Sequence, residues 1–133
     1  MKSKGTRGER ELFHLFWNND WGCIRTAGSG STPLPAPDLL AGKQNRYLAI
    51  ECKVLKSNTK YLYPEEIKEL IEFAEKFSAE PWIAIKFDYT KWHFLQPKDL
   101  SKTKTGYYSI PKEFALKKGI KFEELIKCNL QTQ

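Results

Sequence analysis

Pro37-Asp38-Leu39-Leu40-Ala41-Gly42 passes through Lys43-Gln44-Asn45 and, after Arg46, into Tyr47-Leu48-Ala49-Ile50-Glu51-Cys52-Lys53-Val54-Leu55. Two short apolar runs flank a turn built on Gly42 to Asn45, which predicts two neighbouring strands near residues 38–42 and 46–55. With a side-chain period of two, Leu48, Ile50, Cys52 and Val54 share one face of the second strand. Tyr47, Ala49, Glu51 and Lys53 share the other. Opposite charges thus lie on one face of a strand whose reverse face is wholly apolar. Asp38, opening the neighbouring strand, adds a second carboxylate. Hard oxygen ligands beside an ammonium are what a Mg²⁺-dependent phosphodiesterase requires, one for the metal and the other for water or phosphate.

Upstream, residues 6–19 read as a helix with Leu12, Leu15, Phe16 and Asn19 on one stripe. Asn18-Asn19-Asp20 and Gly22 stop it, and a short strand follows over residues 22–27. Gly28 to Pro37, rich in Pro, Gly and Ser/Thr, is a loop. Downstream, Pro64 suits a first helical turn, and Glu65 and Glu66 match that helix's positive end. The helix runs to about Phe77. Trp82 to Phe87 and Lys91 to Leu95 form strands joined at Asp88-Tyr89-Thr90. Beyond Pro97 the pattern weakens, with short helices expected after Pro111 and near Lys121–Leu130. The order α-β-β-β-α-β-β predicts an α/β domain, a mixed central β-sheet flanked by helices. One domain is expected over residues 1–133, with a core at 4–96 and no assigned role for 97–133.

The chain has 133 residues, 41% apolar and 29% charged, in the ordinary range for a globular domain. No apolar run is long enough to span a bilayer, and the N-terminus lacks an apolar signal region. The expected location is therefore the cytoplasm, with no membrane partner. Cys23, Cys52 and Cys128 are an odd set without CxxC spacing, which argues against a disulfide framework or a zinc site. His14 and His93 lack partners at metal-ligand spacing and read as structural. A net charge of +6 points modestly to an anionic partner such as nucleic acid.

Each candidate residue also has a plainer reading. Glu51 and Lys53 alone make an ordinary surface ion pair. Glu9 continues the inward stripe of the first helix and needs a partner there, but Thr6-x-x-Glu9 also fits a capping box. Arg25 suits a phosphate clamp or a salt bridge to Asp38 or Glu51. Lys86 faces DNA or simply solvent. Phe73 and Phe77 lie beside the full core stripe of Ile67, Leu70, Ile71 and Ala74, so they widen the core or meet a second copy.

With these residues in view, the chain resembles the archaeal Holliday-junction resolvases of the PD-(D/E)XK nuclease superfamily. The likeness runs through Glu9-Arg10-Glu11-Leu12, Arg25-x-Ala27-Gly28-Ser29, Pro37-Asp38-Leu39-Leu40-Ala41-Gly42, Ile50-Glu51-x-Lys53 and Leu70-Ile71-x-Phe73-Ala74-x-x-Phe77. It covers roughly residues 2–96. The resemblance implies a restriction-endonuclease-like fold and a structure-selective endonuclease that resolves four-way DNA junctions by paired symmetrical nicks. By that likeness Glu9, Asp38 and Glu51 surround Mg²⁺, with Mn²⁺ able to substitute, and Lys53 orients or activates water. Arg10 and Arg25 hold DNA phosphates, Ser29 or Ser31 closes the loop over the site, and Lys4, Lys56 and Lys86 are further DNA contacts. The implied assembly is a homodimer with Phe73 and Phe77 near its interface. Three rivals stand beside it: a restriction or repair nuclease on this fold, a non-catalytic domain that binds structured DNA, and an RNA-directed nuclease.

Overall fold

The computed structural model describes residues 4–26 and 34–127, with the Lys4 side chain outside that description. Its spine is a six-stranded sheet in the order β1-β2-β3-β5-β6-β9, where β1 is Gly22–Arg25, β2 Leu39–Lys43, β3 Arg46–Leu55, β5 Glu80–Phe87, β6 His93–Leu95 and β9 Ile120–Lys121. The β3–β5 pair is parallel and the others antiparallel, so the expected mixed sheet is present. A parallel pair requires a crossover, supplied by helix α2 (Pro64–Phe77).

Period-two alternation in β3 feeds two separate cores. Leu48, Ile50 and Cys52 join Trp82 and Ala84 beneath Leu12 and Phe16 of helix α1 (Lys4–Asn18). Ala49, on the opposite face, joins Ile83, Ile85 and Phe87 beneath Ile67, Leu70 and Ala74 of α2. Each fully buried Leu, Ile or Phe contributes about 1.5–3 kcal/mol by leaving water. Helix α1 approaches β3 closely at Gly8, where an added Cβ would lie 2.5 Å from Val54 Cγ2. Gly8→Ala gains about 1 kcal/mol of helix propensity, but a β-branched wall cannot retreat cheaply and overpacking costs about 1–3 kcal/mol. A net loss of up to about 2 kcal/mol in urea unfolding is expected.

Helix α1 begins at Lys4, so Thr6 lies inside it. Thr6 therefore does not serve as the N-cap of a box with Glu9, and that expectation is corrected.

The C-terminal third is part of both cores. Strand β4 (Thr59–Leu62) pairs with β8 (Tyr108–Pro111), which pairs with β7 (Ser101–Lys102) in a second, three-stranded sheet. Ile110 of β8 and Ala115 of α3 (Lys112–Lys118) join the α2-side core, while Phe122 and Leu125 of α4 (Phe122–Lys127) join the α1-side core. Arg46 fastens this tail to the sheet. Its Nε and Nη2 donate to the Glu80 carboxylate at 2.7 and 3.0 Å, and its Nη1 donates to the Leu125 carbonyl at 2.6 Å. Nothing in the apolar patterning marks Arg46 as a buried tie.

Candidate active site

The site forms where β2 stops alongside β3. The last β2–β3 pair is Leu39 with Ile50, and β3 continues to Leu55 without β2 beside it. Cys52 N–H, released from that ladder, donates to Asp38 Oδ2 at 2.8 Å. Pro37 has no N–H to give a strand ladder, and β2 begins only at Leu39, which leaves Asp38 at its mouth. Asp38 is thereby fixed beside Glu51, as the strand pairing anticipated.

Lys53 lies on the same face as Glu51. Its Nζ is 2.6 Å from Glu66 Oε1 and 3.7 Å from Glu51 Oε2. Glu66 is the third residue of α2, and its other carboxylate oxygen accepts Tyr63 N–H at 3.0 Å. Glu66 N–H in turn donates to the Tyr63 carbonyl at 3.1 Å, closing a reciprocal helix start. One carboxylate thus both caps a helix and holds the lysine. In sequence, Glu66 stands out only as a match for the positive end of α2. Its place three residues after the capping position was the available signal.

Glu9, from α1, accepts a hydrogen bond from Arg25 Nη2 at 3.2 Å. Of the alternatives for Arg25, a salt bridge is present, but to Glu9 rather than to Asp38 or Glu51. Arg25 Nε is buried without a partner among the described residues. A buried donor left unmade carries a cost, which an incoming anion nearby can help to offset.

Burial raises the Glu51 carboxyl to about 8, aided by repulsion from Asp38, Glu66 and Glu9 and opposed by Lys53. Burial also raises Asp38, against the Cys52 N–H and Lys53 that favour its charged form. Burial, then Asp38, raises Glu9, while Arg25 lowers it. Lys53 moves upward because its carboxylate partners outweigh its burial. The cluster therefore holds more negative charge than its own cations neutralise.

That imbalance is the test of fit for a divalent cation. Among the described residues no three Asp, Glu, His or Cys side chains are drawn into a closed metal cage. The Asp38–Glu51 pair remains, with Glu9 held on Arg25. Mg²⁺ commonly takes one or two carboxylates and keeps several waters, so the donor set suits a hard cation. With burial raising the Glu51 carboxyl to about 8, metal binding near neutral pH is expected to release a proton from the Asp38–Glu51 pair. Metal affinity measured by calorimetry is expected to rise about tenfold per pH unit up to pH 8, with proton release seen as a buffer-dependent heat. Without metal the sign for folding is opposite. A carboxyl raised in the fold binds more protons than in the unfolded chain, so this contribution to stability falls from pH 4.5 to about 8.

The remaining sequence candidates scatter around this centre. Arg10 is exposed on α1, and Lys56 is exposed just past the end of β3. Lys86 points to the α1 side of the sheet, away from the Glu51–Lys53 face. There it pairs with Glu11 at 2.9 Å and lies over Trp92. Lys4 is placed at the start of α1 by its backbone alone, and Ser29 and Ser31 lie outside the described residues. Phe73 and Phe77 stack at 5.4 Å just to one side of the buried stripe of α2, with Phe73 partly buried against the α2-side core and Phe77 edge-on to the half-exposed Tyr47.

A family model described as archaeal Holliday junction resolvase (hjc) matches residues 1–133. Crossover junction endodeoxyribonuclease Hjc of Archaeoglobus fulgidus is 43% identical over 107 residues, covering 80% of this chain and 79% of that protein. Its namesake in Methanocaldococcus jannaschii is 36% identical over 104 residues, covering 78% and 74%. The solved structure of the Archaeoglobus fulgidus Hjc, described as a Holliday junction resolvase from an archaeal hyperthermophile, superposes with a TM-score of 0.85 at 34% identity. It covers 97% of this chain and 100% of that one. The likeness therefore reaches past residue 96 into the C-terminal segment.

Proposed function

The chain belongs to the archaeal Holliday junction resolvase family, and from that premise we propose that it is a structure-selective endodeoxyribonuclease that resolves four-way DNA junctions. The observation that carries this reading is the Asp38–Glu51 carboxylate pair with Lys53 beside it, held at the open end of β3. Asp38 and Glu51 would hold Mg²⁺, or Mn²⁺ in its place, with Glu9 in support. When bound there, such an ion would supply a polarised water and offset charge developing on the phosphate. Lys53, steadied by Glu66, keeps its ammonium near the attacking oxygen or a non-bridging phosphate oxygen. Arg25, steadied by Glu9, and the exposed Arg10 and Lys56 hold backbone phosphates.

A single centre cuts a single strand, whereas resolving a junction needs two symmetry-related cuts, so a C₂ homodimer suits the substrate. Phe77, Tyr47, Ile24 and Trp17 line an open cleft of about 480 Å³ on the β1–β2 side of the molecule. Phe77 is 45% exposed and Ile24 57%, and a contiguous apolar patch of this kind is a partner surface. Phe77→Glu is expected to halve the mass seen by light scattering and to uncouple the two nicks, leaving the fold intact.

No helix among the described residues is long and apolar enough to cross a membrane, and the proposed place of action is the cytoplasm. The test is a synthetic immobile four-way junction incubated with purified protein, with and without Mg²⁺. Paired symmetrical nicks are expected only with metal. Sequence-specific cutting of linear duplex would favour a restriction-type enzyme, and binding without any cutting would favour a non-catalytic domain.

A further inference from the structure

Behind the catalytic lysine, strand β4 and the β7–β8 hairpin enclose an open cleft of about 440 Å³ lined by Lys60, Tyr61, Tyr63, Thr103, Thr105 and Tyr107. That size falls within the range of small-molecule sites. Three tyrosines on one cleft are unusual in being left open to solvent: Tyr61 is 58% exposed, Tyr63 56% and Tyr107 38%. Tyr63 and Tyr107 meet edge to face at 5.3 Å, so each stiffens the other and leaves ring surface outward. The hairpin backbone is fixed as well, by Thr103 N–H to the Tyr107 carbonyl at 2.7 Å and Tyr107 N–H to Thr103 Oγ1 at 3.2 Å. Among the described residues no carboxylate lines the cleft. Its charge comes from Lys60, with exposed Lys102 and Lys104 on the same hairpin.

A short chain of hydrogen bonds links the cleft to the candidate active site. Tyr63 N–H is bonded to Glu66, whose other oxygen grips Lys53. Lys60 is near enough to Glu66 to help lower its carboxyl. Rigid, exposed aromatic faces bordered by lysines are how proteins hold unpaired nucleotides, because every base has a face to stack and every phosphate a charge. Branch points and strands distorted for cutting expose bases that an intact duplex hides.

We propose that this tyrosine cleft receives a base of the DNA strand flanking the cut, stacking it against Tyr63 and Tyr107 while Lys60 holds its phosphate. It would thereby favour substrates that can unstack a nucleotide beside the scissile bond. The inference rests on the nuclease reading above and gives the C-terminal segment a part in substrate choice.

The test places 2-aminopurine on either side of the cut position in a four-way junction and follows its fluorescence on binding the full-length protein in EDTA, so nothing is cut. Stacking on tyrosine is expected to quench one flanking position. Tyr63→Ala with Tyr107→Ala should abolish that quench and, with Mg²⁺, slow single-turnover cleavage about tenfold. Tyr63→Phe with Tyr107→Phe should restore both relative to the alanine pair. Circular dichroism melts check folding, and Tyr61→Ala, at the most exposed of the three, gives a second probe of the cleft if the pair unfolds. A quench or a cleavage rate that survives the alanine changes unaltered would overturn the proposal. A wild-type protein that quenches in EDTA yet never cuts would instead overturn the nuclease reading and leave the cleft supported.

Discussion

Glu51→Gln and Asp38→Asn are each expected to stop Mg²⁺-dependent junction cleavage, by about 10³-fold or more, while making the metal-free protein more stable. Both changes keep side-chain shape and remove one anionic oxygen ligand, so the metal loses half of its carboxylate pair. Stability moves the other way because Glu51 is buried among Asp38, Glu66 and Glu9, and its carboxyl is pushed up to about 8 by that company. Above that pH the wild type carries mutual repulsion that the amide lacks. In EDTA at pH 8.5 the Gln variant should melt several degrees higher, a gain of about 1–2 kcal/mol. Junction affinity in gel shifts should hold or tighten, since a negative charge has left the phosphate path. Robust cleavage by either variant would remove the two carboxylates from the chemistry. A lower melting temperature for Glu51→Gln would show that the cluster is not electrostatically strained.

Arg46→Ala should be the most destabilising single change, at about 3–5 kcal/mol, with a melting temperature about 10–20 °C lower. Arg46 is 7% exposed. Its guanidinium satisfies both oxygens of Glu80, the Leu125 carbonyl and, at 5.6 Å, the face of Trp21. Removing it strands Glu80, which among the described residues then keeps only the Trp82 indole N–H at 2.9 Å, and unfastens the tail from the sheet. Most of that loss is the penalty of an unpaired carboxylate rather than the net worth of the pair. Arg46→Met combined with Glu80→Gln should therefore recover a large part of it. Urea unfolding of the single and double variants measures this. Equal losses in both would mean that the tail contact, not the stranded charge, sets the cost.

The two changes also separate site from scaffold. The candidate carboxylates Asp38 and Glu51 sit where the ladder between β2 and β3 has run out, and Cys52 N–H takes Asp38 in place of a strand partner. Chemistry is thus placed at a gap in the sheet whose stability is carried elsewhere, by two cores and the Arg46 tie. Sites that need charge in a half-buried place commonly draw on stability earned in the surrounding fold.

Hydrophobic period alone determined the two strands, both long helices and the face on which Glu51 and Lys53 stand, because alternation and 3.6-residue spacing are local properties of the chain. Pro37-Asp38 and Ile50-Glu51-x-Lys53 were legible for the same reason. Only the folded chain decided that Arg25 takes Glu9, that Glu66 holds Lys53, that Lys86 turns to the α1 side and that Arg46 is buried under the tail. Those partners lie 13 to 79 residues apart in sequence. Which charge finds which is set by how sheets and helices bring distant segments together, and no spacing along the chain records it.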